Sequence, residues 1–320
     1  MYSPLGIWVY NPEQEKWLSW LTNIIKRRSH NMVRAVSQDK QGRIWIGTDQ
    51  DGIDILDKKT GEVRQLRNKT GDERSLQNNT VMVLYEDSSE TMWVGTYKKG
   101  ISYFNECAFK FGAEYIGDIS CIEEDKEGYV WLGTNDVGII YWNSVTGNRA
   151  AFPQKGMDKL TTDAIVCILK AGDGKLWIGT FGGGLICYDN GRIIHYKKNI
   201  PERQNSLAHN NVLALAEDKQ GIIWIGTLGG GVQSLNPKTG LFTTYNTTSA
   251  GLISDYVSSL CMGKEGSLWI GTAQGLSELD IETKKVVNLE GTKSGKEYFS
   301  DQNISQVYED SRGLIWICLL

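Results

Sequence analysis

The chain has 320 residues, 40% of them hydrophobic and 22% charged, with a formal net charge of −4. This is ordinary globular composition, and the mild acidity gives none of the basic footprint that nucleic-acid binding leaves. No apolar run reaches the roughly 18 residues of a membrane-spanning helix, and Met1-Tyr2-Ser3-Pro4-Leu5-Gly6 lacks the basic-then-apolar order of a secretory leader.

From the N-terminus, Gly6-Ile7-Trp8-Val9-Tyr10-Asn11 and Glu15-Lys16-Trp17-Leu18-Ser19-Trp20 read as two short strands. A block ending in Trp-(Ile/Val/Leu)-Gly-Thr then recurs at Trp45, Trp93, Trp131, Trp177, Trp224 and Trp269, and a seventh begins as Trp316-Ile317-Cys318. The tryptophans are 48, 38, 46, 47, 45 and 47 residues apart. A near-fixed period of this size marks a propeller or a solenoid. Unit five is the clearest. Asn211–Asp218 is apolar enough for a strand covered on both faces, and Ile222–Thr227, Val232–Asn236 and Leu241–Tyr245 follow as strands separated by turns. Four short strands make one antiparallel sheet, the size of a propeller blade.

The first turn of each unit repeats as Asp-x-x-Gly-x-x-Trp at Asp39, Asp125, Asp218 and Asp310, with Glu90 replacing the glycine after Asp87. Such an Asp bonds backbone N–H groups two residues on. Its recurrence in unit after unit makes it a turn residue rather than a catalyst or a calcium ligand. The repeated Trp likewise reads as core filling between sheets. The glycines after Phe181 and Leu228 lead into strands, with no Gly-Lys-Ser/Thr following, and so do not cradle a phosphate.

Six units are complete, and the strands at the two chain ends supply the halves of another. The sequence therefore predicts an all-β fold: a seven-bladed β-propeller of four-stranded antiparallel blades, with the last blade completed by both termini. Such closure leaves no open edge. The expected blades are 30–70, 78–112, 115–155, 162–198, 209–246 and 255–290, with the seventh split between 1–22 and 301–320. A chain that opens and closes inside a repeat reads as a segment of a longer protein.

The six cysteines show neither CxxC spacing nor histidine partners at zinc spacing. Cys121 and Cys167 share a repeat position, where they read as small buried residues, with an inter-unit disulfide as the alternative. His30 and His209 also share a position, three blade steps apart around the ring, and are not expected to form a metal site. His195 reads as a surface residue on an outer strand. No cofactor is expected.

The repeat Asn-x-Val-x-x-(Ile/Leu)-x-Glu-Asp-x-x-Gly-x-(Ile/Leu)-Trp-Ile-Gly-Thr-x-x-Gly-Gly-(Leu/Val) resembles the two-component regulator propeller repeat, and the likeness covers essentially the whole chain. In that family the propellers form the extracytoplasmic sensor of membrane-bound histidine kinases, often hybrids, typical of Bacteroidetes and commonly responsive to glycan fragments. The resemblance implies a non-catalytic, periplasmic sensing segment. It implies as partners an oligosaccharide or other small-molecule signal and the flanking domains of a receptor, with homodimerisation left open. Two other readings stand beside it: a streptogramin-lyase-like or sialidase-like propeller enzyme, and a protein–protein scaffold.

Strand order places any ligand. Loops joining second to third strands and loops joining one blade to the next emerge on one face, and the Asp-x-x-Gly hairpins on the other. The first face varies most between units, which is where function on a scaffold is carried. Its candidate ligand-binding residues are His30, Asn31, Asp49, Gln50, Asn79, Tyr97, Lys98, Asn135, Asp136, Phe181, His209, Asn210, Tyr256 and Gln274. Amides and carboxylates suit sugar hydroxyls, and rings suit sugar C–H faces. The plainer reading of each Asn and Asp is that it satisfies local backbone groups. Arg67, Lys69, Arg74, Lys197, Lys198 and Arg203 read as solvated charges, with an anionic glycan as the alternative. The short 38-residue interval leaves the link from about Gly112 to Asp118 without its usual long loop, and a dip in the rim is expected there.

Overall fold

The computed structural model describes residues 6–18, 32–72, 74–105, 110–143, 146–153, 160, 162, 164–198, 206–289 and 302–320. Every regular element among them is a β-strand, and the strands form seven four-stranded antiparallel sheets. Unit five shows how closely sequence pattern and structure agree. Its strands are Val212–Glu217, Ile223–Thr227, Val232–Asn236 and Leu241–Tyr245, from the axis outward.

Six sheets are simple meanders. In the seventh, the order from the outer edge inward is Lys16–Trp17, Gly6–Asn11, Ile315–Leu319 and Ile304–Glu309. Gly6 to Tyr10 run antiparallel to Leu319 to Ile315, so the two ends of the chain share one blade, as predicted. The outer strand is shorter than expected. Lys16–Trp17 pair with Tyr10 and Asn11, the Leu18 N–H donates to Val9 O at 2.8 Å, and Ser19 and Trp20 lie outside the described residues. Innermost strands of successive blades pack side by side around the ring, and Ile304–Glu309 meets Val33–Gln38 to close it.

The apolar core is not one centre but seven clusters, each shared by two neighbouring blades. The repeated indole anchors each cluster: Trp45, Trp93, Trp131, Trp177, Trp224, Trp269 and Trp316 are all buried. The Gly two residues later is needed for a different reason. A Cβ on Gly179 would stand 2.7 Å from Val212 of the next blade's inner strand, and one on Gly226 would stand 2.7 Å from Val257. Blades close up because that carbon is missing.

The turn aspartate does more than hold its turn. In unit five Asp218 Oδ1 accepts the N–H groups of Gln220 and Ile222, and Oδ2 accepts Trp224 Nε1–H at 2.9 Å. Asp39, Asp87, Asp125 and Asp310 reach their own tryptophans in the same way. One carboxylate therefore fixes both the hairpin and the indole that wedges the blades. Units four and six carry Ala171 and Gly263 at this place, and Trp177 Nε1 is buried without an acceptor among the described residues. In unit two, Glu90 adopts the positive φ of 63° that glycine takes elsewhere.

The Glu that precedes this Asp clasps the neighbouring blade. Glu86 accepts Lys40 N–H, Glu124 accepts Ser88 N–H, Glu217 accepts Gly172 N–H and Glu309 accepts Lys264 N–H, each from the hairpin of the blade before. Where the position holds Lys170 or Met262, the preceding hairpin's lysine compensates: Lys126 Nζ donates to Gly172 O, and Lys219 Nζ to Lys264 O. The seam between the last and first blades is tied through Gln306 to Val36 N, Gln38 to Ser311 N and a buried Lys58–Asp310 pair at 2.8 Å. Burial opposes the Asp310 carboxylate, but the Lys58 ammonium and the Trp316 indole outweigh it and hold its pKa low.

The turn chemistry predicts opposite outcomes at two sites. Asp218→Ala leaves an indole N–H and two backbone N–H groups without their acceptor and is expected to cost about 2–4 kcal/mol. Ala171→Asp supplies the acceptor that Trp177 lacks and should add about 1 kcal/mol. Urea unfolding of both variants measures this, and equal midpoints would remove the carboxylate–indole bond from the account.

Two inter-blade glutamates, the clasp Glu86 and Glu123, which accepts Lys170 N–H of the next blade, also set a pH dependence. Burial, then the Asp39 charge, raises the Glu86 pKa to about 7, and burial raises that of Glu123 to about 7. The folded state thus takes up protons near pH 7 that the unfolded chain accepts only near ordinary carboxylate values. Stability from these groups is present at low pH and lost as pH rises through about 7. The melting temperature should rise between pH 8 and 6, and Glu86→Gln with Glu123→Gln should flatten that rise while keeping an acceptor oxygen. A profile unchanged by the double variant would contradict it.

Candidate functional site

The variable face is assembled from loops pinned at two points. The threonine of each Trp-x-Gly-Thr block donates its hydroxyl to the glycine carbonyl that ends the loop: Thr48 to Gly52, Thr96 to Gly100, Thr134 to Gly138, Thr180 to Gly184, Thr227 to Gly231 and Thr272 to Gly275, at 2.7–3.0 Å. The next residue's N–H then bonds the carbonyl just before the inner strand of the same blade, as Tyr97 does to Thr80 O, Phe181 to Ala164 O and Ala273 to Tyr256 O. A Cβ on Gly184 would stand 2.3 Å from Tyr196 O. The side chains at the loop tips are therefore presented by a fixed frame.

Several expected site residues turn out to serve that frame. Asn79 Oδ1 accepts Asn68 N–H, Asn210 Oδ1 accepts Lys198 N–H, and His209 Nδ1 accepts Asn211 N–H. Asp136 accepts Asp118 N–H, and Asn135 donates to the Asp118 carboxylate. Asp49 pairs with Arg34 at 2.8 Å and accepts the Thr80 hydroxyl. Gln50, Tyr97, Lys98, Phe181, Tyr256 and Gln274 are exposed on the same face. Lys98 lies 4.9 Å over the Tyr97 ring, and a hydrogen bond with Tyr97 raises its pKa. His30 and Asn31 lie outside the described residues. Of the loop cations, Arg67 bonds the Asp51 carboxylate at 3.0 Å, Lys69, Arg74, Lys197 and Lys198 are exposed, and Arg203 lies outside the described residues.

Among the described residues, four aromatic rings are strongly exposed: Tyr97, Tyr115, Phe181 and Tyr256 at 41%, 75%, 55% and 55%. All four sit on this face. Of the exposed aliphatic residues, Val137 shares this face, whereas Ile194, Leu241 and Val287 lie on outer strands. His195 is also on an outer strand and exposed.

Two cavities open here. At the short link between blades two and three, a hollow of about 500 Å³ is lined by Tyr115, Ile116, Gly117, Asp136, Val137 and Arg149 among others, at the predicted dip. The other, about 350 Å³, lies at the axis. It is built by a feature that sequence pattern did not reveal. The register of every inner strand slips by one residue against its partner strand, at Arg34, Met82, Ser120, Val166, Leu213, Ser258 and Ser305. Such bulges re-aim a side chain, and Arg34, Met82, Leu213, Ser258 and Ser305 line the cavity. The one charge in that set, Arg34, was the available signal.

The described cysteines are free thiols. Burial pushes Cys121 up to about 12 and Cys167 well above the ordinary thiol value, which makes them unreactive. No group of three His, Cys, Asp or Glu side chains gathers at metal-binding distance among the described residues.

The model of the two-component regulator propeller matches residues 28–50, 75–98, 116–136, 159–182, 206–229 and 251–274. Each match runs from the inter-blade loop into the first residues after Trp-x-Gly-Thr, so the shared signature is the inner half of a blade. The chain belongs to this repeat family. No curated protein sequence matches it. Among solved structures, an extracellular domain described as that of a hybrid two-component system of B. thetaiotaomicron is 23% identical, with a TM-score of 0.75 over 91% of this chain and 39% of its own. A second such domain from B. thetaiotaomicron is 20% identical, with a TM-score of 0.52 over 98% of this chain and 44% of its own. Virginiamycin B lyase from Staphylococcus aureus is 14% identical, with a TM-score of 0.66 over 92% of this chain and 96% of its own. These likenesses are of fold, and the chain spans less than half of the two B. thetaiotaomicron domains. A two-component regulator propeller thus shares its architecture with both extracellular domains of two-component systems and a lyase.

Proposed function

We propose that this propeller is the non-catalytic, ligand-sensing module of a membrane-bound two-component sensor, located in the periplasm, and that its variable face takes a saccharide or another small signal. The observation that carries the reading is the placement of the exposed rings. Tyr97, Tyr115, Phe181 and Tyr256 stand on the one face whose loops are doubly pinned. Rigid rings above a frame of amides and carboxylates suit sugar C–H faces and hydroxyls. The family supports the sensor role, and the B. thetaiotaomicron extracellular domains support the compartment.

A thermal-shift screen of the chain against an oligosaccharide panel tests this. A binder present at a hundredfold excess over its Kd stabilises the fold by about 2.7 kcal/mol, a shift of several degrees. Phe181→Ala and Tyr256→Ala should reduce the shift tenfold or more in ligand requirement while leaving the unliganded melting temperature within about 1 °C, because both rings are surface residues. A panel that moves nothing, while a partner protein does, would transfer the face to protein docking.

A further inference from the structure

We propose that the mouth of the central channel is a binding site for a small organic carboxylate with an apolar body. The seven bulge positions ask for little chemistry. Six hold Met82, Ser120, Val166, Leu213, Ser258 and Ser305, and only the first blade places a cation there, Arg34. A feature present in every blade builds the ring. A charge present in one blade is a local specialisation.

The serines at these positions are already engaged across the blade boundary. Ser120 donates to Ile165 O, Ser258 approaches Ile304 O and Ser305 approaches Val33 O. They stitch neighbouring blades and offer an incoming ligand no free proton. Arg34 differs. Its Nη2 holds Asp49 Oδ2 at 2.8 Å, but its Nε–H is buried and meets no acceptor among the described residues. That nitrogen is closed off from the cavity by its own burial, but the side chain as a whole stays 29% exposed and brings one guanidinium to a cavity of about 350 Å³, where its accessible Nη–H groups suit an anionic acceptor.

The rest of the lining defines that anion. Met82, Leu213, Leu228, Tyr256 and Ile304 make the walls predominantly apolar, and Arg34 is the only charged side chain among the lining residues. One planar fork matches one planar carboxylate, whereas a phosphate dianion would lack a second cation. Asp49 acts as a positioning residue: it accepts the Thr80 hydroxyl as well as Arg34, so it orients the guanidinium while opposing a second carboxylate nearby. This site shares Tyr256 with the proposed saccharide face but rests on Arg34, which that reading does not use.

Calorimetric titration of the whole chain with benzoate, hexanoate, benzamide, hexanamide and inorganic phosphate tests it. The acids should bind at least about tenfold more tightly than their amides, a difference of about 1.4 kcal/mol, and phosphate should not compete. Arg34→Met should remove that preference, Arg34→Lys should retain part of it, and Asp49→Asn should tighten acid binding. The acid–amide comparison on the unaltered chain needs no variant, so it stands even if Arg34→Met fails to fold. Equal binding of acid and amide, no binding of either acid at 10 mM (roughly the limit of a specific site), preferential phosphate binding, or an unchanged preference in a folded Arg34→Met variant would each overturn the proposal.

Discussion

Blade-to-blade contact depends on a missing carbon and a placed indole. The glycine of Trp-x-Gly-Thr lets the next blade's β-branched residue approach to a distance no Cβ would allow, and the tryptophan beside it fills the wedge that this approach creates. Six seams use this glycine and the seventh fits the buried Cys318 in its place, and each of the seven small apolar clusters is shared by two sheets. A four-stranded blade alone would leave its cluster half open to water. The cost of exposed apolar area therefore ties each blade's stability to its neighbours and makes ring closure the decisive step.

Polar contacts follow the same logic. The turn Asp fixes its own tryptophan, and the Glu before it holds the preceding hairpin, so two adjacent residues of the repeat serve the blade and the ring respectively. The clasps are concentrated on the hairpin face. The opposite face is pinned by threonine hydroxyls within each blade. One side of the molecule is thereby committed to holding the ring together, and the other presents side chains from fixed backbone. This division explains why variable rings and cavities collect where they do.

The axis adds a further layer. Bulges in all seven inner strands turn one side chain per blade toward the channel. Three of them, Ser120, Ser258 and Ser305, bond to the next blade, so the channel mouth takes part in the closure. Arg34 departs from this rule: it pairs with Asp49 of its own blade and is the one charged side chain among the seven bulge positions.

Period and turn chemistry, both local properties, were legible in the sequence. The recurring Trp-x-Gly-Thr gave the blade count, and the fragments at Gly6–Asn11 and Ile315–Leu319 gave the shared last blade, because short strands and Asp–Gly turns are encoded within a few residues of each other. The dip near Gly112–Asp118 was legible for the same reason, as a shortened interval. Other features depend on which strands pair and in what register. Asn79, His209 and Asn210 look like free loop residues until Asn68, Asn211 and Lys198 are seen to donate to them. Gln306 and Val36 are 270 residues apart and meet only across the seam. The bulges are hidden because a strand buried on both faces shows no alternation for a slipped register to break, so Arg34 could be found only when the ring had placed it at the axis.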